Sequence, residues 1–498
     1  MKIKASNVGK YNANLKAIQS LEATLSSEAM KARADFIYFC EYVTRNAITV
    51  IKLAEHHKEW VKLLVTGEDS KCLRGIAGVN TSILSPRGAS KSTVLGLFVA
   101  WVIGYNTIHH NPVQILYLSY SKDAARGKSE TIKTLIESSE YQEIFPLVRR
   151  GEKWTDSHWS IDYQQAGISS AGTEQFTLIC AGAGGSITSK RASLIVYDDS
   201  IKSEEQIANV AVRNKIARNY QMVIRPTLLE GGRIISLGTR FRPDDIHTTH
   251  FIPEKGWLQI EQSAVITEDG KERSYWESMW SLKFLMETKL ELGPSAFSFQ
   301  YMNQIVPLEE LGLKETWITF SEIPHTFESF AVGIDLASSL KTKADYTVLV
   351  LFGLFEGKYY GIDYRRGKWQ SNLDICDQLI ELWEDWNIPG IPFTVYPESI
   401  AYQNSFKGDF QRYVVNDLQL YEIKCTPSKL KGDKLQHVMS ISGIYANDCV
   451  RYNKFTFHKD SPLITELTQF GAVPHDDALD ATALALHGIG ITRRLEAI

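Results

Sequence analysis

The chain has 498 residues, of which 44% are hydrophobic and 22% charged, with a formal net charge of −4. That length exceeds one core and suits two or three domains, and the balance is that of a globular protein, not a disordered or fibrous one. With a pI of about 6.3 the chain is no polycation, so a nucleic-acid partner would have to be met by local basic patches.

Cys40, Cys72, Cys180, Cys376, Cys425 and Cys449 show no CxxC spacing, which argues against a zinc site or a disulfide framework and fits a reducing cytoplasm. Met1-Lys2-Ile3-Lys4 leads into a polar stretch and not into a signal peptide. The longest apolar run, VLGLFVAWVIGY at 94–105, is too short to span a bilayer and reads as a buried helix. No membrane partner is expected.

Residues 1–70 carry charged and apolar residues at helical spacing, with 1–50 as an N-terminal helical segment. Strands are expected at Thr81–Leu84, Ile115–Tyr120, Phe176–Cys180, Leu194–Tyr197 and Arg233–Leu237, alternating with helices. That alternation predicts a mostly parallel sheet with helices on both faces, in a domain over 51–255. Residues 256–325 are less regular and read as a linker or lid. FAVGIDLA, YTVLVLFGLF and KYYGIDYRRG then read as three adjacent antiparallel strands, with a tight turn at EGK. A helix over about 371–386 and a strand FTVYPE at 393–398 complete the start of a second α/β domain, 326–498.

ILSPRGASKST at 83–93 has the outline of a phosphate-binding loop, G-x-x-x-x-G-K-[ST], but Ser85 and Ser90 stand where glycines are usual. The loop Ser85-Pro86-Arg87-Gly88-Ala89-Ser90 would offer backbone N–H groups ahead of a helix N-terminus. Lys91 would reach the β- and γ-phosphates of ATP, and Ser92 or Thr93 would hold Mg²⁺. Arg87 adds a cation suited either to contact the γ-phosphate or to act catalytically as a transition-state finger. SLIVYDDS at 193–200 ends an apolar strand in two carboxylates: Asp198 for Mg²⁺, Asp199 to orient the attacking water. IISLGTRFRPDD at 234–245 places Gly238-Thr239-Arg240 at the end of a further strand, where a polar residue can sense the γ-phosphate. His56, His57 and Trp60 precede the loop, either framing the base or simply at the surface.

Two-metal phosphodiester hydrolysis needs carboxylates converging from separate segments. Asp335 ends AVGID, Glu398 ends FTVYPE, and Asp476, Asp477 and Asp480 open an apolar C-terminal helix. Helix capping alone would also account for that last group. A first-strand aspartate, a later strand-end glutamate and a helix-start cluster together form the RNase H-like pattern, with Asp345 a further candidate. Lys429, Lys431 and Lys434, and Arg365, Arg366 and Lys368, are candidate contacts to the DNA backbone.

In order, HHKEW, SPRGASKST, YLSYSKDAA, SLIVYDD, GTRFRPDDIH, QYMNQ, GIDLA…KADYT, VYPES, KGDK and HDDALDA resemble the large terminase subunit of tailed bacteriophages, from about residue 50 to 490. The resemblance implies an N-terminal P-loop (ASCE-type) ATPase with a mostly parallel sheet and a C-terminal RNase H-like nuclease with a mixed sheet. It implies ATP-driven translocation of double-stranded DNA into a procapsid, cutting of the concatemer by a Mg²⁺- or Mn²⁺-dependent endonuclease, and work in the host cytoplasm. Its implied partners are the portal, a small terminase subunit and further copies in a ring. By match, Arg87, Lys91 and Ser92 contact phosphate and Mg²⁺, Asp198 the metal, and Asp199 is the catalytic carboxylate where many relatives have glutamate. Asp335, Glu398 and Asp476 or Asp477 match the nuclease ligands. A helicase-like ATPase without nuclease chemistry would leave those last carboxylates unexplained; a non-catalytic DNA-binding scaffold would account for the two loop serines.

Overall fold

The computed structural model describes residues 25–65, 79–168, 176–185, 187, 190–207, 209–252, 256–306, 312–336, 346–398, 403–428, 430, 433–470 and 477–490. The chain forms two compact units. One runs to Leu282 and takes back Phe299–Gln304; the other holds Lys283–Ser298 and everything from Ile305. None of the described helices is long and apolar enough to cross a membrane.

In the first unit, helices α1 (Ser27–Ala34), α2 (Phe36–Val43) and α3 (Glu55–Leu64) precede the sheet. Its strands are β1 (Thr81–Leu84), β2 (Ile115–Ser119), β3 (Arg150–Trp154), β4 (His158–Ile161), β5 (Leu178–Gly182), β6 (Ala192–Asp198), β7 (Leu228–Gly238) and β8 (Leu258–Glu261). They lie in the order β3-β4-β5-β2-β6-β7-β1-β8. The six from β5 to β8 are parallel and β3–β4 is an antiparallel addition. The 94–105 run lies in α4 (Lys91–Ile108), apolar on nearly all sides and buried. Helix α5 (Lys122–Glu137) follows β2, capped by Ser121. The sheet reaches into the stretch expected as a lid: β8 pairs with β1, and β9 (Val265–Glu268) and β10 (Lys271–Ser274) form a separate hairpin there.

Register fixes the site. Leu84 of β1 is level with Gly238 of β7, and Leu237 of β7 with Asp198 of β6. Three strands therefore end together at their carboxyl edge, where α/β sheets bind ligands. One strand, β7, separates the loop strand from the acid-bearing strand, which is the ASCE arrangement.

The second unit is a mixed sheet of β11 (Thr319–Ser321), β12 (Ser329–Asp335), β13 (Thr347–Phe355), β14 (Lys358–Gly367), β15 (Phe393–Pro397), β16 (Ile423–Cys425) and β17 (Val450–Asn453), ordered β11-β17-β14-β13-β12-β15-β16. The expected meander is β12–β13–β14, antiparallel throughout. Its tight turn is Glu356-Gly357, both at positive φ (44° and 71°), the backbone a two-residue hairpin loop requires. Strands β15 and β16 then add parallel to β12, giving the RNase H-like order. Helices α6 (Asn372–Trp386), α7 (Lys434–Ala446), α8 (Pro462–Thr468) and α9 (Asp477–Ile489) cover the sheet. Helix α9 lies directly on β12: a Cβ on Gly333 would come within 1.9 Å of Ala481 O. Any larger residue at 333 would push the helix away from the strand that ends in Asp335.

Candidate functional sites

The loop Ser85–Ser90 leaves β1 and enters α4 through two left-handed residues, Gly88 at φ 75° and Ser90 at φ 55°. Serine therefore stands at 90 in a conformation that favours glycine, at an energetic cost typical of functional backbone. The backbone N–H groups of Gly88 and of residues 90–93 are engaged by no described residue. With the N-terminus of α4 behind them, they form a nest for an anion.

The Lys91 ammonium is buried and donates to Ser85 O (3.2 Å), Pro86 O (2.9 Å) and Thr239 Oγ1 (2.8 Å). Burial pulls its pKa down, while Asp199 and Asp198 oppose that shift. Thr239 in turn donates to Ser85 O at 3.0 Å. Arg240 turns away and is buried against Glu261, Asn303 and Thr248, so of this motif Thr239 faces the loop and Arg240 braces the fold.

Asp198 accepts from Ser92 Oγ at one oxygen and from Tyr117 OH at the other, each at 2.8 Å, with Lys128 Nζ 3.8 Å away. Burial and then Asp199 push its pKa up; Lys128 and the two hydroxyls pull it back. A carboxylate joined to the first-turn hydroxyl of the loop helix is a donor pair of the kind that can hold Mg²⁺ beside a triphosphate. Asp199 adopts φ 45°, and its N–H donates to Leu237 O at 2.9 Å. Tyr117 and Lys128 carried no signal in the sequence, since one sits in a continuous apolar strand and the other on a charged helix.

His56, His57 and Trp60 are not a surface group: all three are buried. His57 accepts from Ala54 N at Nδ1 (3.1 Å), which leaves Nε2–H to donate to Ala89 O in the loop (2.9 Å). Arg87 is exposed, and Phe241 lies 6.0 Å from its guanidinium.

In the second unit, Ile334 of β12 is level with Pro397 of the parallel β15. Asp335 and Glu398 therefore follow at the ends of neighbouring strands, roughly 5 Å apart along the sheet. Helix α9 supplies Asp477 and Asp480, both buried. Burial, then Asp480, Asp477 and Glu398, push the Asp335 carboxyl up to about 9, with Lys434 the opposing cation. Lys434 Nζ lies 3.8 Å from both Asp477 Oδ1 and Asp480 Oδ2. Asp477 Oδ2 accepts from Tyr346 N at 3.1 Å, and Asp480 Oδ1 lies 2.5 Å from His437 Nδ1.

Asp335, Glu398, Asp477 and Asp480 thus share one electrostatic environment. Asp476, Asp345, Lys429 and Lys431 lie outside the described residues. Among the described residues no three His, Cys, Asp or Glu side chains form a ready cage for an ion, and Asp477 and Asp480 are engaged by Tyr346, Lys434 and His437. The chemistry of the donor set still suits a divalent ion: four carboxylates lie near one another, Lys434 is the cation opposing three of them, and burial with the neighbouring charges drives Asp335 toward protonation.

Arg366 is not a free backbone contact. It donates to Glu466 Oε1 at 2.7 Å and stacks on Tyr346. Glu466 Oε2 in turn accepts from Ala478 N at 2.9 Å, capping the helix that carries Asp477 and Asp480. Arg365 pairs with Asp363 and Asp385.

The two units define a class: a P-loop NTPase fold joined to an RNase H-like fold. No family model matches the chain, and no curated protein matches it. Among solved structures it is similar to the large terminase of a thermophilic bacteriophage (TM-score 0.49, 13% identity, 87% of this chain and 98% of that one). It is similar also to the large terminase of bacteriophage HK97 (0.34, 12%, 91% and 98%). The magnesium-bound large terminase nuclease of thermophilic phage G20c matches over 36% of this chain and 98% of its own (0.27, 14%). Fold and residue roles alike stand on this chain's own geometry.

Proposed function

We propose that the chain is a viral DNA-packaging enzyme in which one unit hydrolyses ATP to move double-stranded DNA and the other cuts it. The observation that carries this reading is the presence of two separate charge-converging sites of different chemistry: a lysine-centred anion nest and a four-carboxylate cluster. The ordered motifs resembling large terminases extend it to DNA, to the portal of a procapsid, to a small terminase subunit, to a ring of copies and to the host cytoplasm.

In the first unit, the N–H groups of Gly88 and residues 90–93 and the Lys91 ammonium would receive the β- and γ-phosphates. Ser92 and Asp198 would hold Mg²⁺, which supplies charge neutralisation at the transferring phosphoryl group. Asp199 would orient the attacking water, and Thr239, bonded to both Lys91 and the loop, would register loss of the γ-phosphate. In the second unit, Asp335, Glu398 and Asp477 would hold divalent ions that activate water and stabilise the leaving oxygen. Lys434 supplies positive charge at the same place for a DNA phosphate.

The test is ATP turnover and DNA nicking by purified protein. Lys91→Ala should abolish turnover and leave Mn²⁺-dependent nicking measurable, and Asp335→Ala should do the reverse. Loss of both activities in either variant, with folding intact, would defeat the assignment of two independent sites.

A further inference from the structure

Arg87 is held by a residue to which the nucleotide chemistry above gives no part. Gln300 is 9% exposed and grips the loop twice. Its carbonyl accepts from Arg87 N at 3.2 Å, and its Oε1 accepts from Arg87 Nη1 at 3.2 Å. The grip is anchored three residues further on. Asn303 Oδ1 accepts from Arg240 N (3.1 Å), and its Nδ2 donates to Gln262 O (2.8 Å). Gln262 Oε1 accepts from both Ser85 Oγ (3.1 Å) and Trp60 Nε1 (3.2 Å). Segment 299–304 is thus tied to the start of the loop and to the end of β7, and Gln300 presents its amide from a fixed base.

The neutrality of the acceptor matters. A carboxylate at 300 would orient the guanidinium equally well but would offset its charge. An amide oxygen orients it and leaves the whole positive charge for a phosphate. Arg87 has no carboxylate within ion-pair distance among the described residues, which fits that purpose.

We propose that Gln300 is a positioning residue of the nucleotide site, aiming Arg87 at the triphosphate without neutralising it. This rests on the reading of the loop as an ATP site.

The experiment is steady-state ATP hydrolysis by the full chain. Wild-type turnover that Lys91→Ala abolishes is the reference, and its absence would overturn the site reading and this inference with it. Gln300→Leu, which keeps the backbone bond and removes the side-chain acceptor, should lower kcat roughly tenfold with KM little changed. Gln300→Glu keeps the acceptor and adds a charge, so it should raise KM for ATP and cost less in kcat. In an Arg87→Ala background, Gln300→Leu should have no further effect. Gln300→Ile, a second acceptor-free side chain, should behave as leucine does, which guards against a packing artefact of one variant. Wild-type kinetics in both acceptor-free variants, an undiminished effect without Arg87, or identical kinetics for Gln300→Glu and Gln300→Leu would each overturn the proposal.

Discussion

The Nδ1 of His437 on α7 lies 2.5 Å from Oδ1 of Asp480 on α9, so one buried imidazole fixes the direction of a carboxylate in the cluster. Lys434, one turn earlier on α7, meets Asp480 by its other oxygen. Removing an outer partner of this kind usually costs 10- to 100-fold in metal affinity or activity. His437→Ala should therefore reduce metal-dependent nicking by about tenfold or more while leaving ATP turnover unchanged. Parallel assays of the two activities on one preparation decide it; an equal fall in both would point to general damage.

Asp335 carries the sharpest electrostatic conflict in the second unit. Its carboxyl is pushed up to about 9 by burial and by Asp480, Asp477 and Glu398. In the metal-free protein the folded state holds a proton that the unfolded chain releases near pH 4, so stability should decline as pH rises from about 4 to about 9. Asp335→Asn removes that conflict. It should raise the metal-free melting temperature at pH 8, abolish nicking, and shrink the rise in melting temperature that Mg²⁺ or Mn²⁺ gives the wild type. Thermal melts with and without the ions, at pH 6 and pH 8, measure all but the nicking.

Much of this was legible in the residues and some was not, for physical reasons. Strands β1 and β2, the meander and α6 announce themselves by period and by turn residues, and Asp198, Asp335 and Glu398 are marked by carboxylates ending apolar runs. The edge strands β3 and β11 bury little of either face, and β8 and β16 span only four and three residues, too short for their alternation to stand out. The outer partners Tyr117, Lys128, His437 and Gln300 act through contacts distant in sequence, which no local spacing encodes. An arginine in a basic run reads the same in sequence whether it is solvated or, like Arg366, paired with a buried Glu466.

Gly88 is required twice over. Its φ is 75°, and a Cβ there would come within 2.5 Å of Trp280 Cζ2. Gly88→Ala should abolish or severely weaken nucleotide binding and lower stability by about 1–3 kcal/mol. Adding Trp280→Ala relieves the collision but not the backbone strain, so it should recover part of the stability. Titration with a fluorescent ATP analogue and a melt of each variant make the comparison.

Tyr117→Phe removes one of the two hydroxyls on Asp198 while conserving ring packing in a fully buried position. The ionised carboxylate loses a donor worth about 1–3 kcal/mol, so the Mg²⁺ concentration for half-maximal ATP turnover should rise roughly tenfold or more. Ser92→Ala should do the same and also remove the proposed Mg²⁺ ligand, with a larger fall in kcat. If Tyr117→Phe left the Mg²⁺ dependence untouched, the tyrosine would be packing alone.

His56 gives the first unit an acid sensitivity. Its ring lies among His57, Trp60, Tyr275 and Trp276, at centroid distances of 3.8, 5.4, 4.8 and 4.9 Å, and both its nitrogens lack a described hydrogen-bond partner. Burial, then the neighbouring His57, lower its pKa from 6.5 to about 3. Below pH 6.5 the unfolded chain takes up a proton that the folded one refuses until about pH 3. Stability should therefore fall as pH drops through that window, by at most about 1.4 kcal/mol per pH unit from this ring. His56→Phe fills the same aromatic space without the two unpaired nitrogens, and it should both raise stability at neutral pH and flatten the loss between pH 6.5 and 5. Denaturant unfolding at several pH values, wild type against variant, gives the difference in slope; parallel curves would mean the proton goes elsewhere.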